Sequence, residues 1–340
     1  MRDLVVAGGG PVGLVTALYA ARAGLDVVVR EPRHGPIDKA CGEGLMPSAV
    51  TGLLELGVRL DGHRIDGIRY VAPGHDVAAR FRHGPGRGVT RTALHGALLD
   101  AAAVAGVKVE HRAVEQVEDV GSSVLVDGEP ARYLVAADGL HSPLRRRLGL
   151  DAPPRTTRRW GLRCHVDVPP WTSYVEVHWS PCGEAYVTPV GDGRVGVAVL
   201  TGQRRSFPDL LGAFPTLGYR LQGRPLSRVR GAGPLRQRSS ARVRGRTLLA
   251  GDAAGYVDAL TGEGIAVGVA QARAAVSAVL ADDPASYERS WRRVTWRHDL
   301  LTHTLLTATR HRALRERVVP AAVALPRVFE AAVNQLARPA

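Results

Sequence analysis

The sequence predicts an α/β fold in which a parallel-sheet domain is interleaved with a smaller β-sheet domain and followed by a helical C-terminal tail. Three observations predict it. Residues 3–31 read as strand, glycine loop, helix and strand; two later apolar strands end in Asp-Gly and Gly-Asp; and residues 158–200 are rich in strands. With 340 residues, 45% hydrophobic and 23% charged, the chain can bury a large core and reads as a soluble globular protein of one large or two interlocked domains.

The first unit is the most informative. A buried strand at 3–7 runs into Gly8, Gly9, Gly10, Pro11, Val12 and Gly13, a helical pattern covers 14–24, and an apolar strand covers 25–29. In Gly8-x-Gly10-x-x-Gly13 the glycines permit a tight turn, close approach of backbone to a pyrophosphate, and close packing of helix on strand. The helix N-terminus offers free N–H groups to phosphates, and Glu31, at the end of the second strand, can accept hydrogen bonds from ribose hydroxyls. Gly191-x-Gly193-x-x-Gly196 has the same spacing but lies between two strand-like runs, so it reads as a hairpin around Asp192-Gly193.

Downstream, alternation predicts strands within 63–82, a Gly/Pro-rich loop at 83–88, a helix over 92–105, and strands near 107–112, 116–120, 123–126 and 133–137. A strand at 247–250, a long helix over 262–280 and a helical tail from 284, broken near Pro320 and Pro326, complete the order. The implied division is 1–62, 87–150 and 233–283 for the nucleotide-binding domain, 63–86 and 151–232 for the second sheet, and 284–340 for the C-terminal helices.

Forty-five Lys+Arg against 32 Asp+Glu leave a formal charge of +13. The positive charge is nearly all arginine, with Lys39 and Lys108 the only lysines, and it is scattered rather than massed, so no nucleic-acid partner is expected. Weak attraction to an anionic membrane surface is compatible with it. Three cysteines, Cys41, Cys164 and Cys182, without C-x-x-C spacing, indicate neither a disulfide framework nor a metal site. No secretory signal precedes the first strand and no apolar run approaches a membrane span, so a cytoplasmic protein is expected.

Two further motifs carry chemistry. Residues 133–145 run from an apolar strand into Asp138-Gly139, then Ser142 and Arg145; residues 248–265 run from an apolar strand into Gly251-Asp252 and reach Gly262-Glu263-Gly264-Ile265 at a helix start. Carboxylates and glycines at strand ends beside helix N-termini suit the sugar-phosphate parts of a cofactor. Together, in this order, the three motifs resemble the FAD-binding flavoproteins of the para-hydroxybenzoate hydroxylase type, a group that includes geranylgeranyl reductases and flavin-dependent halogenases. The resemblance spans about residues 3–280 and implies a Rossmann-like FAD-binding domain. It places Gly8, Gly10, Pro11, Val12 and Gly13 at the FAD pyrophosphate, Glu31 with Arg33 at the adenosine ribose, and Asp252 after Gly251 at the ribityl chain. It places Gly264 and Ile265 against the isoalloxazine and Asp138-Gly139 near the pyrophosphate, where they help accept NAD(P)H, and it counts Lys39, Gly262 and Glu263 among the cofactor-binding residues. Arg91 matches the family's arginine at a helix start, and Val114 falls where a backbone contact to adenine is common. NAD(P)H, lacking a fingerprint of its own, would bind transiently.

Lys39-Ala40-Cys41-Gly42-Glu43-Gly44 resembles the Lys-x-Cys-Gly-x-Gly segment of geranylgeranyl reductase-like proteins, whereas the aromatic stretch usual in those reductases reads Tyr186-Val187-Thr188-Pro189 here. The halogenase Trp-x-Trp-x-Ile-Pro segment and active-site lysine are missing. The expected activity is therefore NAD(P)H- and O2-dependent hydroxylation of a lipophilic, phenolic or polyketide-like aromatic compound, with reduction of carbon–carbon double bonds as the alternative. Candidate catalytic groups are Cys41 and Glu43, near where the flavin ring should lie, and His178. Period-2 alternation puts His178 with Tyr174 and Glu176 on one face of a strand, either solvated or lining the pocket as a proton relay. Tail residues Leu300, Leu301, Leu305, Leu306, Val318 and Val319 are read as a hydrophobic pocket lid or as core.

Overall fold

In the computed structural model, which describes residues 1–153 and 158–338, the two predicted sheets lie side by side. The first has the spatial order Val243–Arg244, Thr247–Leu249, Glu129–Ala136, Arg2–Ala7, Val27–Arg30 and Lys108–Glu110. Four of its five junctions are parallel, for example Leu4 beside Tyr133 and Leu4 beside Val27, and a hairpin of Val117–Asp119 and Val124–Val126 extends one side. Strand Arg2–Ala7 is central and covered on both faces, which is why it reads as a continuous apolar run rather than an alternation.

Helix Pro11–Arg22 starts where proline already supplies the helical φ and ends at Gly24, whose φ of 79° only glycine adopts readily. It packs on helix Gly264–Leu280 at close range: a Cβ on Gly268 would lie 2.5 Å from Val12 Cγ2. Helix Arg91–Val104 lies on its other side, with Thr90 Oγ1 accepting from the Ala93 N–H as an N-cap.

The second sheet has seven strands in the order Arg230–Ala232, Trp160–Val166, Arg194–Thr201, Gly183–Gly191, Tyr174–Ser180, Gly67–Ala72 and His75–Arg80. The Asp192-Gly193 hairpin is found as expected, joining Gly183–Gly191 to Arg194–Thr201. Residues 63–65 and 86–88 do not join this sheet: with Gly44–Leu45 they form a separate three-stranded sheet.

Cross-strand pairing defines two faces of the seven-stranded sheet. Val177 pairs with Tyr186, Tyr186 with Ala198, and Ala198 with Arg163, so these share the face turned to the nucleotide-binding domain. Cys164, Ala185, Val187, Val197 and Val199 occupy the other face, sealed by Phe207–Leu211 and Pro215–Leu221. The tail forms helices Pro284–Arg310, Arg312–Arg315, Val318–Ala324 and Pro326–Leu336. Pro320 sits in a first helical turn, where its missing N–H has no partner to lose, so the breaks fall at 316–317 just before it and, as expected, at Leu325-Pro326. Of the expected lid residues, Leu306 and Val319 are buried against Val177, Trp179 and Leu260, with Leu305 and Val318 beside them, whereas Leu300 is exposed.

Candidate active site

The ends of the parallel strands build a phosphate cradle. Gly8 has φ 104°, its N–H donates to Arg30 O at 2.8 Å, and a Cβ there would meet Ala137 O at 2.5 Å. A Cβ on Gly13 would lie 1.8 Å from Gly8 O, so the helix can approach the turn only without a side chain. No side chain caps helix Pro11–Arg22 and no acidic residue occupies its first turn, which leaves its N-terminal N–H groups and positive dipole end for an anion. Arg91 is buried beside Gly10, and its Nη1 has no hydrogen-bond partner. Burial disfavours its charge, while Asp252 supports it. A buried guanidinium with a free N–H, facing an uncapped helix over glycines with no room for Cβ, fits a pyrophosphate.

His95, four residues on from Arg91 on the same helix, holds this loop. Ile37 N–H donates to His95 Nδ1 at 3.3 Å, so the ring proton sits on Nε2, which donates to Gly9 O at 2.7 Å. Burial lowers the imidazole pKa and keeps this neutral form. Sequence reasoning missed His95; its only signal was helical spacing from Arg91.

Glu31, expected at the adenosine ribose, lies beside the glycine loop. Its carboxylate accepts from Gly9 N–H at 2.9 Å and from the Arg33 N–H, Nε and Nη2 at 3.1, 2.7 and 2.9 Å. Burial pushes its pKa up, but the Arg33 and Gly9 hydrogen bonds outweigh this and hold it below the usual range. Arg33 is exposed and free to yield its place to a ribose hydroxyl. A cavity of about 260 Å³ opens here between Gly9, Glu31, Arg33 and His95, large enough to begin housing an adenosine. Val114 is buried, its carbonyl accepting from Arg147 Nη1 at 3.2 Å.

Asp138-Gly139 and Gly251-Asp252 converge opposite the cradle. Asp138 Oδ2 accepts from Leu144 N–H at 3.0 Å while the buried Oδ1 is unpartnered, and burial raises its pKa. Lys39 Nζ lies within 3.2 Å of a Cβ position on Gly139, and its charge supports the Asp252 carboxylate, whose pKa is raised by burial within a cleft to which its side chain remains open. Arg145, fully buried, joins the two motifs: it donates to Ala253 O at 3.1 Å, Gln237 Oε1 at 3.1 Å, Leu140 O at 3.3 Å and Asp151 Oδ1 at 2.7 Å. Gly251 N–H donates to Gln271 Oε1 at 2.7 Å. Gly262 has φ 71° and Ile265 is half-buried in the first turn of the long helix. Glu263 is buried, and its carboxylate is engaged by His298 Nδ1 at 2.9 Å.

The segment 38–44 is tied across to the inner face of the seven-stranded sheet. Asp38 pairs with Arg163 and, at 2.9 Å, with Arg230; Thr188 Oγ1 donates to Gly42 O at 2.7 Å. Glu43, buried and at φ 59°, accepts from Arg91 N–H at 2.8 Å and from His165 Nε2 at 2.7 Å. Both carboxylate oxygens of Glu43 are thus taken, and it acts as a clamp between the helix start and the sheet. Cys41 Sγ accepts from Glu43 N–H at 3.4 Å, and burial pushes its thiol pKa up.

His178 is a correction. Its strand partner is Ala185 on the sealed outer face, where it is buried and contacts Glu176 Oε2 at 3.1 Å, with Trp171 Nε1 donating to the same oxygen at 3.0 Å. It is neither solvated nor in the pocket, because helices cover the face that alternation alone leaves open.

A buried ionic cluster on the inner face escaped sequence reasoning. Arg159 pairs with Glu184, and its Nε lies 3.7 Å from Asp258 Oδ2; Glu184 Oε1 and Asp258 Oδ1 have no partner. Burial, with Glu184 nearby, raises the Asp258 pKa to about 6 against the pull of Arg159. Tyr186 donates to Leu260 O at 2.7 Å beside it. Glu184 comes from a strand, Arg159 from the residue before another and Asp258 from a loop, so no local pattern announces them.

Residues 1–189 match the FAD binding domain family. The menaquinone reductase of Mycolicibacterium smegmatis is 32% identical over 324 residues, covering 85% of this chain and 79% of that one. A digeranylgeranylglycerophospholipid reductase of Methanopyrus kandleri is 30% identical over 331 residues, 85% of each. Among solved structures, p-nitrophenol 4-monooxygenase from Pseudomonas putida superposes with a TM-score of 0.80 at 18% identity, over 98% of each chain, a likeness of fold. The chain belongs to the FAD binding domain family and is an FAD-dependent oxidoreductase.

Proposed function

We propose that the protein reduces a carbon–carbon double bond of a lipophilic, polyprenyl-type substrate, with NAD(P)H as the source of electrons and the cytoplasm as its compartment. This reverses the order of the two activities expected from sequence, in which aromatic hydroxylation came first. The observation that carries it is Cys41, a thiol kept protonated by burial, set in the clamped segment 38–44 beside Arg91 and within electrostatic reach of Tyr256. Similarity to reductases over most of the chain supports the same reading.

Bound FAD supplies the hydride once reduced. The residues of the chain do the rest. Arg91 and the N-terminus of helix Pro11–Arg22 hold the phosphates, and His95 fixes the Gly9 carbonyl beneath them. Val177, Trp179, Leu260, Leu306 and Val319 form an apolar wall that excludes water from the reacting bond. The Cys41 thiol would give its proton to the alkene carbon that does not take the hydride, and solvent would reprotonate the thiolate.

Hydroxylation remains a second reading because Asp258, with an unpartnered oxygen and a pKa near 6, can take a phenol proton. Mass spectrometry of products from polyprenyl and phenolic substrates, with NADPH, under heavy oxygen and under anaerobic conditions, separates the two. Gain of hydrogen alone, equally fast without oxygen and slowed at least about tenfold by Cys41→Ala, is expected. Heavy oxygen in the product, with no anaerobic turnover, overturns the reductase reading.

A further inference from the structure

Helix Pro284–Arg310 is amphipathic in an unusual way. Its inner face supports the site: His298 holds Glu263 at the entry of the long helix, and Leu306 packs with Trp179 and Leu260. Its outer face carries Arg289, Arg292, Arg293, Trp296, Arg297 and Leu300, all exposed, at the 3–4-residue spacing that puts them on one stripe. Trp296 is 52% exposed and Leu300 57%. Among the described residues, no exposed position of this helix is acidic. Arg289 and Arg292 make only long, exposed ion pairs at the rim, to Asp283 at 3.8 Å and Glu288 at 3.5 Å, and Arg297 lies over the Trp296 ring at 5.3 Å.

From this stripe we infer that the helix docks the protein flat onto an anionic lipid bilayer. Exposed tryptophan and leucine cost free energy in water and gain it in the interfacial region, where an indole sits with its N–H toward the headgroups. Arginines alternating with them meet lipid phosphates in the same plane. The charge argues against a second copy of the chain as occupant, since two such stripes would repel. No described helix is long and apolar enough to cross a membrane, so attachment would be peripheral. The arrangement also suits the chemistry: the helix that would meet the bilayer on its outer face packs its inner face against the apolar cluster of Val177, Trp179 and Leu260, so a lipophilic substrate would have a short way from lipid to flavin. That last step rests on the reading of the substrate proposed above; the docking does not.

The test is sedimentation of the FAD-loaded full chain with vesicles of phosphatidylcholine alone and of phosphatidylcholine with phosphatidylglycerol, at several salt concentrations and without substrate. Binding confined to the anionic vesicles, weakened by salt, is expected. Arg293→Glu with Arg297→Glu should lower the partition at least about 20-fold, and Trp296→Ser with Leu300→Ser should abolish the blue shift of tryptophan emission on binding. All four positions are exposed, so flavin retention and circular dichroism should be unchanged. Equal binding to both vesicles, undiminished binding of the variants, or stripe-dependent binding to duplex DNA without vesicle binding would overturn the inference. Turnover of a detergent-dispersed substrate keeps the two proposals apart. If the reductase reading fails, no polyprenyl substrate is reduced in any format; if only docking fails, the charge-reversed protein works on vesicle-embedded and dispersed substrate alike.

Discussion

The two sheets present function in different ways. The parallel sheet offers it at strand ends: Gly8 and Glu31 follow a strand directly, Asp138 and Asp252 come within three residues of one, and their side chains or backbone meet in one crevice. The seven-stranded sheet offers it on a face: Arg163 and His165 come from one strand, Glu184, Tyr186 and Thr188 from another, and Val177 and Trp179 from a third. A strand-end site is contiguous in sequence and requires glycine at fixed places. A face site is spread over alternate residues of several strands, and its members become neighbours only through pairing.

This difference can be broken by substitution. The largest effect should come from Gly13→Ala, which drives a Cβ into Gly8 O at 1.8 Å, where neither backbone can retreat. We expect loss of flavin on gel filtration and destabilisation of about 3 kcal/mol or more in urea unfolding. A folded variant that retains FAD would show that the strand-end site tolerates a side chain and would erase the contrast.

Next in size is the pH dependence carried by the inner face. Asp258 has a model-compound pKa of 3.8 and a folded value of about 6, so the native state holds the proton more tightly than the unfolded chain. Stability is therefore greatest below the unfolded value and falls as pH rises from about 4 to about 6, by about 3 kcal/mol in all. Asp258→Asn should remove that fall, seen as a flatter plot of urea midpoint against pH. An unchanged slope would mean that another group carries it.

His178→Gln should be smaller and confined to stability. The outer face loses its contact to Glu176, at a cost of about 1–3 kcal/mol, while flavin absorbance and turnover stay as they are. A fall in kcat without loss of stability would return His178 to the chemistry and blur the two faces. Smallest of all is Gly193→Ala in the hairpin that copies the spacing of the glycine loop. A Cβ there meets nothing within 4 Å, so less than about 0.5 kcal/mol and no change in FAD binding are expected from fluorescence titration. Loss of flavin from this variant would contradict its assignment as a turn.

What could be read from residues alone follows from this geometry. The βαβ unit, the three cofactor motifs, Arg91, and the decoy hairpin at Asp192-Gly193 depend on local backbone demands, and local demands leave contiguous marks. The segment 38–44 was legible as a segment, whereas the roles within it were not: that Glu43 is a clamp depends on His165, 122 residues away. His95 was passed over, and Arg145 was read only as the arginine behind the Asp138-Gly139 turn, because a histidine and an arginine on a helix show no role until their partners, Gly9 and Gln237, are in place.

The sequence by itself determined the class of fold, the glycine loop of the first strand–helix–strand unit and the order of the elements, because glycine, proline and apolar periodicity act through nearest neighbours along the chain. Only the tertiary structure decided which face of the seven-stranded sheet looks toward the flavin site and which is sealed. Strand alternation is symmetric between two faces. The choice between them, which buried His178 on the far side and gathered Arg159, Glu184 and Asp258 on the near one, was made by the helices and loops that pack against each.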